Sequence, residues 1–399
     1  MKKKHTKKKA AFRFLFDPDD FRGGVLADRH TQASDPLLWL LVSLLVAFGS
    51  VMVFSASYAY ALNRYENSYY FIERQVAWVL IGFAVMFGAS LLNSRFYRAI
   101  ARLSYALTVV LLLVVLLIGT IGNGAQRWIA IGPITIQPSE IAKTTLVMML
   151  AWYFATYEQK ALDRQNKRRL LVWGTLIPFC FIGLVCVLVM LQKHLSGLII
   201  LGAIGLLVMF LSGIGLRYLG YCTAAAGAGV SFLALFTEYT KRRITIWFNP
   251  ELYPLEGGWQ TLQGMMAIGS GGFFGLGLGN SRLKFSYVSE PANDMIFTIV
   301  CEELGFLGAL LVLVLFALFI WRAYLIGMRH PDIFMRLLVL GIAAKVAIQV
   351  LLNVAVVTNT IPNTGISLPF FSYGGSSLVM LFFEMGILLS ASRSAHIKR

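Results

Sequence analysis

The sequence predicts an all-α polytopic integral membrane protein of about ten transmembrane helices, and three observations predict it. Of its 399 residues 58% are hydrophobic and only 14% charged, with a mean hydropathy of +0.71, whereas a soluble domain spends about a quarter of its residues on charge. The apolar residues gather into ten runs near the ~20-residue length that spans a bilayer. The short connections between the runs carry their Lys and Arg on alternate sides, as in a chain that threads a membrane repeatedly. A soluble globular enzyme is excluded, and so are large soluble domains.

The runs lie at about 36–58, 76–93, 103–120, 138–156, 170–190, 195–212, 217–236, 294–320, 335–357 and 375–391. The basic groups Lys2 to Lys4 and Lys7 to Lys9, Arg95/Arg98/Arg102, Lys160 with Arg164/Lys167/Arg168/Arg169, Arg217, Arg322/Arg329/Arg336 and Arg393/Lys398/Arg399 all fall on one side of that count. The positive-inside rule makes that side cytoplasmic. Both termini then face the cytoplasm: residues 1–35 and 394–399 are tails around a transmembrane domain of 36–393. The lysine-rich start is followed by polar sequence, not by the apolar stretch and cleavage site of a signal peptide. The net charge of +16 is explained by the membrane rather than by nucleic acid. Cys180, Cys186, Cys222 and Cys301 sit in or beside apolar runs without CxxC spacing, which supports neither a disulfide framework nor zinc.

The one long connection, about 238–293, faces outward between the seventh and eighth helices. It holds Trp247, Trp259, the glycine-dense GSGGFFGLGLGN (269–280) and the cations Lys241, Arg242, Arg243, Arg282 and Lys284. A loop of this length and content is read as functional; the bland alternative is an amphipathic loop whose cations meet headgroups. GxGxG at 275–279 lacks the strand before and helix after that a phosphate loop needs, so an ATPase is not expected.

Ionisable groups inside apolar runs are rare and mark sites by default. In GAQRWIAIGPITIQPSEIAK (124–143), Pro138 and Ser139 suit a helix start, and Glu140 and Lys143 stand at i, i+3 on one face. They form either a self-satisfied pair or, with Arg127, a phosphate-binding group. Asp294, in EPANDMIFTIVCEELGF (290–306), is either a helix N-cap or a general base at the membrane boundary. Glu302 and Glu303 read as buried structural acceptors, and His194, in Gln192-Lys193-His194, as a satisfied polar residue with no second His or Cys near in sequence to suggest zinc. Lys345 and Glu384, each near mid-span, are expected to pair with each other as a structural ion pair. NTIPNTGISLPFFSYGGSS (359–377), rich in Pro, Gly, Ser and Thr, is expected to line an outward cavity, because non-helical backbone at membrane depth needs protein or water around it.

Several stretches together resemble the SEDS family, that of FtsW, RodA and SpoVE, over about residues 37–393: MVFSAS (52–57), RWI with IQPSEIAK (127–143), FNP (248–250), GGWQTLQGMMAIGSGG (257–272), GLGLGNS (275–281), Asp294 with EELG (302–305), and NTGISLPFFSYGGSS (363–377). The surroundings of SASY (55–58) and RQVAW (74–78) resemble FtsW and SpoVE more than RodA. The resemblance implies a peptidoglycan glycosyltransferase of the bacterial cytoplasmic membrane. It would polymerise lipid II at the outer face during cell division, at the septum, with a class B penicillin-binding protein and other division proteins as partners. Asp294 matches the family's catalytic aspartate, Glu140 and Lys143 its helix pair, and Arg127 its loop arginine.

With the matched motifs and outward loops, the expected substrate-binding set is Arg127, Gln137, Glu140, Lys143, Lys241, Arg243, Gln260, Ser372 and Gly374. A divalent cation, Mg2+ or Mn2+, is implied, and no ligand cluster for it is legible. The sequence departs from the family at Gln192-Lys193-His194-Leu195-Ser196-Gly197, where many members read Gln-Pro-Asp-Leu-Gly-Thr. Two rival readings share the ten-helix pattern: a lipid II flippase, with access to both faces and polar groups through the midplane, and a division scaffold without chemistry.

Overall fold

The computed structural model describes residues 33–395 apart from 123–124, 133, 164, 237 and 285–291. Residues 1–32 and 396–399, most of the two expected tails, lie outside the described residues. Each of the ten apolar runs coincides with a helix: α1 (Pro36–Tyr65), α2 (Tyr70–Ser90), α3 (Ser94–Ile118), α4 (Pro138–Ala161), α5 (Lys167–Leu191, with a π-helical stretch at Leu170–Leu176), α6 (Leu195–Leu211), α7 (Leu216–Phe236), α10 (Ile296–Met328), α11 (Ile333–Val357) and α12 (Gly375–Ser392). Between α7 and α10 the long connection holds α8 (Glu238–Phe248) and α9 (Trp259–Ser270). Seven of the described helices are long and apolar enough to cross a bilayer, and α4, α6 and α7 are not among them. The chain is a polytopic membrane protein.

The reason α4 falls short is its position. Ala142 to Phe154 are all buried, because α4 packs against α3, α5, α6, α11 and α12, so it meets protein where an outer helix meets lipid and tolerates Thr144 and Thr145 among its apolar residues. The outer helices carry the lipid-facing residues: Leu80, Leu117 and Leu351 are 65%, 81% and 69% exposed, an arrangement suited to hydrocarbon and not to water. Helices α1 to α3 also extend several residues past the apolar runs, because Tyr, Arg and Glu continue the helix beyond the hydrocarbon. Polar contacts gather the end opposite the long connection. Arg322 Nη2 and Nε donate to Asp35 Oδ2 at 2.5 and 3.0 Å, Asp35 N donates to Ser392 Oγ at 3.0 Å, and Arg98 pairs with Asp332 at 3.0 Å.

Three features depart from the sequence reading. The connection after α3, read from the sequence as an outward loop without assigned strands, is an antiparallel meander of β1 (Thr120–Gly122), β2 (Ala125–Ile131) and β3 (Ile134–Ile136); the Asn123-Gly124 pair in its sequence is a hairpin signal. The long connection folds back after α9 and meets a break in α10 at Gly305, whose φ is +65°. There Leu276 N and Gly277 N donate to the carbonyls of Glu302 and Glu303, while Phe306 N and Leu307 N donate to those of Gly272 and Phe273. A Cβ on Gly275 would stand 2.2 Å from Glu303 O, so only glycine admits this approach. Finally, Lys284 is no headgroup-facing cation. It is fully buried, pairs with Glu303 at 2.9 Å and lies over the Tyr58 ring. Ser55 completes this cluster by donating to Glu303, and Ser281 Oγ and Arg282 N donate to Glu302, which makes both glutamates structural acceptors.

At mid-span Lys345 Nζ donates to Glu384 Oε1 and Oε2 at 2.6 and 2.7 Å, and Thr144 Oγ1 donates to the same carboxylate at 2.5 Å. Lys345→Met strands a buried carboxylate and is expected to lower stability by about 3–5 kcal/mol, whereas Lys345→Met with Glu384→Leu recovers most of the loss. Thermal unfolding in detergent measures this. Equal losses in the single and double variants would count against the pairing.

Candidate active site

Four helices begin at one cavity of about 340 Å³. Gln137, Ser139, Glu140 and Lys143 come from the start of α4, and His194, Ser196, Gly197 and Ile200 from the start of α6. Asn293 and Asp294 precede α10, and Tyr373, Gly374 and Ser377 open α12. The remaining wall is Arg127 and Trp128 from β2, Gln349 from α11, and Gly365 to Ser367 from the connection between α11 and α12. Each helix start leaves backbone N–H groups without intrahelical partners and carries the positive end of its dipole, so the cavity favours an anion before any side chain is counted.

Glu140 and Lys143 are 9% and 3% exposed and pair at 2.7 Å. The pair contributes no net charge. Arg127 therefore supplies the positive charge of this wall, held by a hydrogen bond from Nη2 to Lys193 O at 2.5 Å. Asp294 is half-buried and does not cap α10, which begins after Met295 without a side-chain cap. Its backbone is held instead. Asn353 Nδ2 donates to Asp294 O at 2.9 Å and to Ile366 O at 2.6 Å, Ser372 Oγ donates to Asn293 O at 2.8 Å, and Tyr373 N donates to Ala292 O at 2.8 Å. Gly365, with φ +70°, makes room for the carboxylate, since a Cβ there would lie 2.8 Å from Asp294 Oδ2.

Of the sequence-predicted residues, Asp294, Arg127, Gln137, Glu140, Lys143 and Gly374 line this cavity together. The others do not. Ser372 lies behind the wall, and its hydroxyl is taken by Leu368 N and Asn293 O. Arg243 donates to Asn363 O, Gln260 accepts from Asn363 Nδ2 at 3.1 Å, and Trp247 Nε1 donates to Asn359 O at 2.9 Å, so the long connection grips the 359–365 segment rather than the cavity. Lys241 is exposed on α8. Lys345 and Glu384 are the expected pair.

Sequence reasoning named neither Gln349 nor Asn293 as a site residue; Tyr373 and Ser377 belong to the 359–377 segment expected to line an outward cavity, and with Gly365, Ile366, Ser367 and Gly374 they line this one. Sequence reasoning also read His194 as a satisfied polar residue, and this is corrected: the side chain is 7% exposed, Nδ1 has no hydrogen-bond partner within the chain, and the ring lines the cavity. Burial, followed by the charge of Arg127, pushes the His194 imidazole down to about 3. For a metal the donors are few. Glu140 is committed to Lys143, and among the described residues no three His, Cys, Asp or Glu stand together as a cage. The described residues therefore do not by themselves form a cage for a divalent cation.

The sequence family described as Cell cycle protein, that of FtsW, RodA and SpoVE, matches residues 35–397. The chain belongs to the FtsW/RodA/SpoVE family. Relatives of this SEDS chain include Stage V sporulation protein E of Bacillus subtilis, 37% identical over 90% of this chain and 97% of that one. Another is a protein of Trichlorobacter lovleyi described as probable peptidoglycan glycosyltransferase FtsW, 35% identical over 90% of this chain and 93% of that one. Among solved structures, a chain from a peptidoglycan synthase complex that coordinates polymerization and crosslinking matches at TM-score 0.75 and 28% identity, covering 92% of this chain and 99% of that one. The rod shape determining protein RodA of Thermus thermophilus matches at TM-score 0.66 and 27% identity over the same shares. The cavity of this SEDS chain is built from the family-like stretches IQPSEIAK, Asp294 and NTGISLPFFSYGGSS.

His194 gives a pH dependence with a definite sign. In the unfolded chain it takes up a proton below about pH 6.5, whereas the folded chain resists protonation down to about 3. Stability is therefore expected to fall as pH drops from about 6.5, by at most ~1.4 kcal/mol per pH unit from this group. His194→Gln is expected to flatten that part of a stability profile followed by thermal unfolding between pH 7.5 and 4.5.

Proposed function

We propose that the chain is a peptidoglycan glycosyltransferase that polymerises lipid II, with the cavity as its active site and Asp294 as the general base. The observation that carries this reading is the meeting, in one cavity, of a half-buried carboxylate with four helix N-termini and an arginine. A lipid-linked sugar diphosphate needs both halves, a base for the acceptor and an anion site for the leaving group. The positive-inside pattern supports placing the cavity at the outer face.

In the reaction the acceptor's GlcNAc 4-hydroxyl attacks the donor's MurNAc C1, and the bond from C1 to the diphosphate oxygen breaks with its electron pair left on that oxygen. Asp294 takes the hydroxyl proton. An α-linked donor and a β-linked product require inversion, which calls for one base on the face opposite the leaving group. The departing diphosphate gains charge, and the helix starts and Arg127 stabilise it without reorganising.

A smaller cavity of about 20 Å³ continues inward past Glu140 and Gln349 to Lys345, Phe370, Leu378 and Leu381. It accommodates a water molecule or two, not a saccharide, which supports chemistry at one face over transport between two. The neighbour's description as a synthase complex of polymerization and crosslinking supports a transpeptidase partner, a class B penicillin-binding protein, and the relatives named FtsW support a place at the division septum.

Asp294→Asn tests the assignment. The amide keeps size but takes no proton, so polymer formation from labelled lipid II by the purified protein with its partner is expected to fall by ~10² to 10⁴, with folded yield unchanged. Polymer within a few-fold of the parent would remove Asp294 as base and revive the scaffold and flippase readings.

A further inference from the structure

The fold gives His194 no role of its own. It stands just before α6, makes no capping hydrogen bond, and is buried against the cavity. Its Nδ1 shares a condition with Arg127 Nε, Ser139 Oγ and Ser196 Oγ: each is buried with no hydrogen-bond partner within the chain, and each belongs to a residue of the same cavity wall. Buried polar atoms are nearly always paired in native proteins. Four unpaired ones on one wall mark a surface shaped for a polar ligand.

The seat of the ring fixes which atom that ligand meets. A Cβ on Gly197 would stand 2.7 Å from Nδ1 and 2.9 Å from Cε1 of His194, so the imidazole rests on the glycine with Nδ1 toward the first turn of α6. That turn carries unpaired N–H groups and positive charge, which favours a lone pair on Nδ1 and disfavours a proton there. Burial and the neighbouring cations Arg127, Lys143 and Arg243 hold the ring neutral against the opposing pull of Glu140. A neutral imidazole with its lone pair on Nδ1 carries its proton on Nε2.

We propose that His194 is a substrate-binding residue, donating an Nε2–H hydrogen bond to a phosphoryl oxygen of a diphosphate ligand beside Arg127. The identity of that ligand as a lipid diphosphate rests on the polymerase reading above; the hydrogen-bond donor does not. The residue adds attraction for an oxyanion without adding a charge that must itself be desolvated.

The test uses the full chain in lipid nanodiscs, with undecaprenyl diphosphate and inorganic pyrophosphate as probes. His194→Met keeps bulk and removes the donor. It is expected to weaken undecaprenyl diphosphate binding roughly tenfold or more, the size of a hydrogen bond to a charged group, while the melting temperature holds or rises because an unpaired buried nitrogen is gone. His194→Gln places an N–H at the same reach and is expected to bind within about threefold of the parent. Gly197→Ala pushes the ring off its seat and is expected to weaken binding as His194→Met does. Pyrophosphate is expected to show the same order among variants; an order confined to the lipid would mean that His194 meets another part of it and would overturn the phosphoryl assignment.

Unchanged binding in His194→Met overturns the proposal. So does an equal loss in the Met and Gln variants with lower melting temperatures, which is the mark of packing. A parent that binds through His194 yet forms no polymer from lipid II would overturn the polymerase reading alone. A parent that polymerises with a KM indifferent to His194→Met would overturn this proposal alone.

Discussion

Every helix that starts at the cavity aims the positive end of its dipole into it, and α4, α6, α10 and α12 all start there. Each end is equivalent to roughly half an elementary charge, and none can be moved without unthreading the bundle. The side chains must therefore work within a positive field that topology has already set. Glu140 and Lys143 do so by cancelling one another inside α4, which lets the most buried helix carry two ionisable groups. Asp294 brings a negative group to the same field from the edge, where it is half-buried.

A second constraint fixes the described part of the long connection between α7 and α10. Its return segment is drawn to the break at Gly305, and Lys284 is anchored to Glu303 and Ser55. Three of the stretches that resemble the family, MVFSAS, GLGLGNS and EELG, thus meet in one buried cluster away from the cavity. Arg243, Trp247 and Gln260 meanwhile hold the backbone of Asn359 and the side chain and backbone of Asn363. That is the segment whose Gly365 and Ile366 flank Asp294. The loop is thus connected to Asp294 through the segment that frames it.

What could be read in the sequence follows from this division. The ten helices were legible because hydrocarbon demands an unbroken apolar run, and Lys345 with Glu384 because a charge at mid-span has few solutions. Glu140, Lys143, Arg127 and Asp294 stood out as charges in apolar surroundings. Lys284 was legible only as one of the loop's cations, because the surrounding sequence looks the same whether a lysine in a glycine-rich loop meets water or a buried glutamate; only the fold-back onto α10 decides it. Ser372, Arg243 and Gln260 lie in segments whose importance was legible, but their contacts are with backbone and Asn363. Gln349 gave no signal, since a polar residue on a membrane helix is ordinary until its neighbours are known, whereas Ser377 was legible only through the 359–377 segment that it ends. The β-meander was obscured by its brevity, with strands of three and seven residues.

The departure at residue 194 has a physical consequence for how the cavity handles charge. A carboxylate at the start of α6 would be favoured by the dipole but would meet a phosphoryl oxygen with like charge, so the two could share the cavity only with a cation between them. An imidazole removes that requirement. It leaves Arg127 and the helix N-termini as the positive side of the cavity and Asp294 as the carboxylate opposite them, since Glu140 is neutralised by Lys143. Under the proposed reaction the two functions are thereby separated: proton acceptance falls to the start of α10, and oxyanion binding to the starts of α4 and α6. A diphosphate departing in that reaction would move toward fixed donors and away from the carboxylate that had just taken the proton.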